Sequence, residues 1–225
     1  MYRLGIFDLD GTLADTLDSL VFSVNETLKE MGLSPIRQEK CRQFVGNGAR
    51  VLIEKSLLEA GEPTLDRLDE AMQIYGRIFH ENCTYHVVPY EGIKELLSDM
   101  KREGFKLAVL SNKPHKQTVR VVETVFGRKM FHKIQWQTDG IPRKPDPTAA
   151  LQTAEELGIL PEEAVYIGDS EVDIATGTNA RMMTIGVEWG FRSRTILQEA
   201  GAAHIVSTPE EIMKLIRNRE VKEHE

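Results

Sequence analysis

Leu4-Gly5-Ile6-Phe7-Asp8-Leu9-Asp10-Gly11-Thr12 is the stretch from which the rest of the chain can be read. Leu4, Ile6 and Phe7 make a short apolar strand, cut off by two acids and a glycine. On an extended strand, side chains at i and i+2 point the same way. Asp8 and Asp10 are therefore expected to act from one face, at the strand's end. Two converging carboxylates repel each other unless a proton or a cation relieves them, so the pair calls for a divalent metal. Gly11 lets the backbone turn, and its N–H can approach a ligand with no Cβ in the way. Asp and Gly also end strands as plain turn formers, and the rest of the chain decides between the two readings.

Working outward, Leu17, Leu20, Val21, Val24, Leu28 and Met31 fall at helical spacing, with Gly32 as a stop. Residues 35–44 and 49–60 predict two more helices, joined across Val45-Gly46-Asn47-Gly48, and 65–79 predicts a fourth. Residues 15–83 thus read as an inserted helical domain, and 1–14 with 84–225 as a core domain. Beyond residue 84 the rhythm changes. Helices are expected over 92–102, 114–126, 147–157, 171–180 and 194–200, with strands at 105–110, 133–137, 164–167, 183–187 and 204–206. Thr208-Pro209-Glu210-Glu211 opens a last helix with a cap, a proline and a capping-box glutamate, and the charged tail 217–225 is expected to fray. Repeated αβ units imply an α/β fold: a Rossmann-like parallel sheet with helices on both faces.

Composition narrows the chemistry. The chain has 225 residues, 41% hydrophobic and 28% charged, with a formal net charge of −7, ordinary for a globule with a sizeable core. No Lys/Arg-rich block marks a nucleic-acid footprint, so no nucleic-acid partner is expected. An acidic protein that takes an anionic substrate needs local positive charge from a metal, a lysine or backbone N–H groups. Cys41 and Cys83 are too few for a disulfide framework. The N-terminus runs straight into a strand, and no apolar run reaches membrane-spanning length. A cytoplasmic protein without a membrane partner is the expectation.

In doubly wound sheets, ligands bind beyond the carboxyl ends of the strands, so other strand ends should also carry reactive groups. The strand through Leu107–Leu110 runs into Ser111-Asn112 and then Lys113-Pro114 at a helix start, where a hydroxyl, an amide and free N–H groups suit a phosphate. Alone, Ser111 would read as an N-cap. The strand Val165-Tyr166-Ile167 ends at Gly168-Asp169, with Asp173 one helical turn further on. Such oxygen ligands suit Mg²⁺ better than zinc. Prolines on both sides stiffen Ile141-Pro142-Arg143-Lys144-Pro145-Asp146-Pro147, and a lysine held there can neutralise a phosphoryl group.

Asp8-Leu9-Asp10-Gly11-Thr12, Ser111, Lys144-Pro145 and Gly168-Asp169-Ser170 with Asp173 resemble, in order and spacing, the four motifs of the haloacid dehalogenase superfamily. The helical insert resembles that superfamily's C1 cap. The resemblance implies a Mg²⁺-dependent phosphomonoester hydrolase. In it Asp8 attacks phosphorus to form an aspartyl phosphate, and Asp10 protonates the leaving oxygen and later activates water. It places the metal on the Asp8 carboxylate, the Asp10 carbonyl and Asp169, with Asp173 bound directly or as a support. Thr12, Ser111 and Asn112 are implied to hold the phosphoryl oxygens, with Lys144 offsetting charge. Dehalogenases of the superfamily lack a role for the second aspartate, so Asp10 favours phosphoryl transfer.

Within the superfamily the chain is most similar to phosphoglycolate phosphatases, through the cap string Phe44–Arg50, the loop 140–147 and Gly186-Val187-Glu188-Trp189-Gly190-Phe191-Arg192. Asn47, Gly48 and Arg50 are the cap residues with a rationale for gripping a small carboxylate, although an interhelix turn with a solvated arginine reads equally well. Trp189 and Phe191 are expected to pack under the rim. Arg181 stands where related chains carry glycine, which leaves Asn179 to end its helix. The expected partner is a small phosphorylated metabolite, 2-phosphoglycolate first, acted on by a monomer or homodimer. A sugar phosphomutase resembling β-phosphoglucomutase and an inorganic pyrophosphatase are the alternatives.

Overall fold

The computed structural model describes residues 1–137 and 140–222. The N-terminal string forms β1 (Leu4–Phe7). β1 lies between two parallel neighbours, β4 (Lys106–Pro114) and β6 (Ala164–Gly168). Around them β5 (Lys133–Gln137), β7 (Met183–Val187) and β8 (His204–Val206) complete a six-stranded sheet in the order β5-β4-β1-β6-β7-β8. A strand buried on both faces reads as a continuous apolar run, and in β1 the alternation can be followed residue by residue. Leu4 and Ile6 join one core with Ala108, Leu110, Ala164 and Tyr166. Phe7 joins the other with Leu107, Val109, Val165 and Ile167. Each fully buried Leu, Ile or Phe contributes about 1.5–3 kcal/mol.

Helices cover both faces. The Phe7 face packs on α5 (Ile93–Arg102), α6 (His115–Phe126) and α10 (Pro209–Lys222). The other face packs on α7 (Thr148–Glu156), whose Ala149, Ala150 and Ala154 allow close approach. α8 (Glu171–Asn179) follows β6, and α9 (Arg194–Glu199) follows β7. A 3-10 turn at Pro161–Glu163 leads into β6.

Between β1 and the rest of the sheet the chain leaves through β2 (Ala14–Asp15) and returns through β3 (Val88–Pro89), which pair antiparallel. The segment between them holds α1 (Leu17–Glu30), α2 (Gln38–Phe44), α3 (Ala49–Glu59) and α4 (Leu68–Asn82), which pack on one another. The apolar contacts of these helices run without a break into the Phe7 face of the sheet.

Several expectations need correction. The fourth helix spans Leu68–Asn82 and not 65–79, because Leu65 takes a left-handed φ of 56° and its carbonyl accepts from the Leu68 N–H in a turn. β4 continues past Leu110 to Pro114, with a register shift against β5. The ribbon of β2 and β3 was not anticipated, since two residues per strand leave no alternation to detect. The tail is helical through Lys222, and the last three residues of the expected fraying segment lie outside the described residues. Asn179 is the last residue of α8 but does not stop the helix through a left-handed turn of its own. Arg181 itself adopts the left-handed conformation, with φ 57°, and the Asn179 amide donates to the Pro145 carbonyl.

Candidate active site

Because β4, β1 and β6 are neighbours, their carboxyl ends bring Ser111, Asp8 and Asp169 to one rim. Asp8 follows β1 directly and donates its N–H to the Ile167 carbonyl, so its backbone is held by the sheet. Its Oδ1 lies 2.9 Å from the Lys144 ammonium, which also meets Asp173 Oδ1 at 2.7 Å. Lys144 reaches this point from a loop whose Lys144–Pro145 peptide is cis. Asn112 holds that loop in place: its amide oxygen accepts from the Lys144 N–H, and its amide nitrogen donates to the Lys144 and Gly46 carbonyls.

Asp173 sits in a capping box with Ser170 at the start of α8. Ser170 N–H and Oγ both donate to Asp173 Oδ2, while Lys144 and the Tyr166 hydroxyl donate to Oδ1. A carboxylate has about four lone-pair sites, and in Asp173 all are taken. Asp169 is less committed. Its Oδ1 accepts from the Thr12 hydroxyl and its Oδ2 from the Phe191 N–H. The backbone crowds Asp169 so closely at Gly11 and Gly190 that neither position has room for a Cβ. At Gly11 the φ of +85° independently favours glycine.

Asp8, Asp169 and Asp173 are buried, and one oxygen of each lies within 4.8 Å of the others. Three carboxylates face one ammonium there, which leaves an excess of negative charge that a hard divalent cation fits. Electrostatics agree. Burial foremost, then Asp173, holds the Asp8 carboxyl well above the usual carboxylate range, with Asp169 and Asp10 adding and Lys144 opposing. Burial and then Asp173 push Asp169 up to about 7. Burial works against the Lys144 charge, yet Asp173 and Asp8 keep it protonated well above the ordinary lysine value.

The sign of the stability effect follows. A carboxyl whose pKa is higher folded than unfolded binds its proton more tightly in the folded state. Its ionisation therefore opposes folding as pH rises from the ordinary range, about 4, to about 7 for Asp169. A divalent cation competes with those protons. Melting with Mg²⁺ and with chelator should show a larger Mg²⁺-induced gain at about pH 7.5 than at about pH 5. Equal gains at both would mean that this cluster is not where the ion binds.

A cavity opens between this rim and the helices of residues 15–83. Asp8, Asp10, Ser111, Asn112, Lys144 and Asp169 line it from the sheet side. Val45, Gly46, Gly48, Tyr75 and Phe79 line it from the helical side. Ser111 Oγ accepts from the Lys113 N–H at 3.2 Å. Asp10 Oδ1 accepts from Thr16 Oγ1 at 2.6 Å and from Lys113 Nζ at 2.5 Å.

Not every expected residue joins the site. Arg50 points away: its guanidinium pairs with Asp69 at 3.0 Å, and both side chains are exposed. Asn47 contributes its carbonyl to Arg143 and does not line the cavity. The Thr12 hydroxyl donates to Asp169 Oδ1 at 3.2 Å, and Thr12 does not line the cavity. Lys113 was missed as a lining residue, although it stands at i+2 from Ser111. Arg192 was also missed. Its buried guanidinium pairs with Glu171 and donates to the Arg42, Gln43 and Val45 carbonyls, while Arg42 donates to the Gly190 carbonyl. Phe191, expected only to pack, also brings its N–H to Asp169.

The family model of haloacid dehalogenase-like hydrolases matches residues 5–187. The chain belongs to that family. Among haloacid dehalogenase-like hydrolases it is similar to the phosphoglycolate phosphatase of Psychrobacter arcticus, at 35% identity over 195 residues covering 84% of each chain. It is also similar to that of Aquifex aeolicus, at 31% identity over 220 residues, 98% of this chain and 99% of the other. A solved structure from Lactobacillus delbrueckii subsp. bulgaricus superposes with a TM-score of 0.88 at 31% identity, over 96% of this chain and 98% of that one. The chain is accordingly an enzyme of the phosphatase type within the haloacid dehalogenase-like family. No helix among the described residues is long and apolar enough to cross a membrane.

Proposed function

We propose that this enzyme hydrolyses a small phosphomonoester, 2-phosphoglycolate first, through an aspartyl phosphate on Asp8. The observation that carries the reading is Asp8 itself. One oxygen is held by Lys144, and the other makes no hydrogen bond among the described residues and belongs to a side chain lining the cavity. In the first step that oxygen bonds to phosphorus while the ester oxygen leaves with a proton from Asp10. In the second, Asp10 takes a proton from water, and the water oxygen displaces the Asp8 carboxylate as free phosphate departs. Ser111, whose own proton has no acceptor among the described residues, is placed to donate to a phosphoryl oxygen. Lys144 offsets the charge that develops.

Asp8, Asp169 and the Asp10 carbonyl would hold Mg²⁺, with the saturated Asp173 bracing Lys144 from behind. The ion would supply positive charge to the phosphoryl oxygens as the bond breaks. Residues 15–83 act, in this reading, as a cap domain hinged on the ribbon of β2 and β3.

The test is phosphate release from a panel at matched Mg²⁺: 2-phosphoglycolate, pyrophosphate, glucose 1-phosphate and glycerol phosphates. The expected result is the highest kcat/KM for 2-phosphoglycolate. Fastest release from pyrophosphate would make the enzyme a pyrophosphatase. Isomerised sugar phosphate with little free phosphate would make it a mutase.

A further inference from the structure

Two buried polar groups of the cavity wall have no part in the reaction derived above. Lys113 stands at the end of β4, its side chain 3% exposed. Its ammonium pairs with Asp10 and lies 5.0 Å from the centroid of the Phe79 ring. Among the described residues it donates no other hydrogen bond, so two of its three protons lack an acceptor. Buried donors are normally satisfied, and a buried charge with idle protons is costly. Tyr75 repeats the pattern from the opposite wall. It is 2% exposed, stacked on Phe79 at 5.1 Å between centroids, and its hydroxyl makes no hydrogen bond among the described residues.

Lys113 and Tyr75 line the same cavity as Asp8, and Leu20, Leu52 and Phe79 make the surface around them apolar. An ammonium and a hydroxyl, both buried and both with protons to give, are best matched by an anionic acceptor.

Resting on the function proposed above, we propose that Lys113 and Tyr75 form the subsite for a substrate carboxylate. In 2-phosphoglycolate that carboxylate is one carbon from the phosphoester oxygen. The two residues thereby select a phosphorylated short-chain hydroxy acid over a neutral phosphomonoester of similar size. They are specificity residues toward the carboxylate end, although Lys113 also pairs with Asp10.

The experiment compares kcat/KM for 2-phosphoglycolate with that for ethyl phosphate in the wild type, Lys113→Met and Tyr75→Phe. The ratio of the two is expected to fall about tenfold or more in Lys113→Met, the scale of a lost hydrogen bond to a charged group. Tyr75→Phe should lower it by a smaller factor, mainly through KM. The same change should leave the ligand-free melting temperature at or above the wild type, since it removes a buried hydroxyl that has no partner. An equal loss on both substrates would place Lys113 in the phosphoryl machinery and overturn the proposal, as would an unchanged ratio. If Lys113→Met does not fold, Tyr75→Phe decides alone by the same ratio. A wild type that turns over ethyl phosphate but not 2-phosphoglycolate would instead overturn the assigned substrate, and the subsite with it.

Discussion

Asp8→Asn is expected to lower phosphate release by roughly 10⁴-fold or more, the scale on which a nucleophile acts together with its partners. The amide keeps the shape of the carboxylate but cannot form the bond to phosphorus. Its effect on the fold should run the other way. Burial and the neighbouring carboxylates already disfavour a charged Asp8, so a neutral side chain relieves repulsion. Without metal, the variant should melt at or above the wild-type temperature at about pH 7.5. Residual turnover near the wild-type level would remove Asp8 from the reaction. A fall in melting temperature would show that its charge supports the fold.

Lys144→Met is expected to damage both activity and stability. The ammonium is the one cation that touches Asp8 and Asp173 together among the described residues. Removing one partner of a buried ion pair costs about 3–5 kcal/mol, because the other is left uncompensated. That cost should shrink at about pH 5, where the abandoned carboxylates can take up protons. Phosphate release should fall about 10³-fold, in keeping with loss of a preorganised positive charge at the reacting group. Denaturant unfolding at the two pH values checks the first part. A loss independent of pH would mean that the methylene stem matters and the charge does not.

The sheet and its rim were legible because their signals are local. Leu4, Ile6 and Phe7 mark a strand by composition, and Asp8, Ser111 and Asp169 are each the first polar residues after an apolar run. Lys144 stood out only through its flanking prolines. Other features escaped for physical reasons. Lys113 follows Ser111 by the same i, i+2 rule that paired Asp8 with Asp10, but the expected strand stopped at Leu110, whereas β4 runs to Pro114. Tyr75 lies on the apolar face of α4, and a helical period says which residues turn inward without saying what they turn toward. Arg50 looked placed to grip a substrate because it follows Gly48, yet Asp69 from another helix took its charge. Arg192 reaches carbonyls about 150 positions away in the chain, and only the fold brings them near.

The short run from Gly190 to Arg192 ties together two things that could have been separate. Its Phe191 N–H holds Asp169, its Gly190 carbonyl is gripped by Arg42, and its Arg192 side chain holds three carbonyls of the helical segment. If those helices swing outward, the bonds that Arg42 and Arg192 make break as a group, on the run that also positions Asp169. Three consecutive residues thus join the acidic cluster to the helical segment.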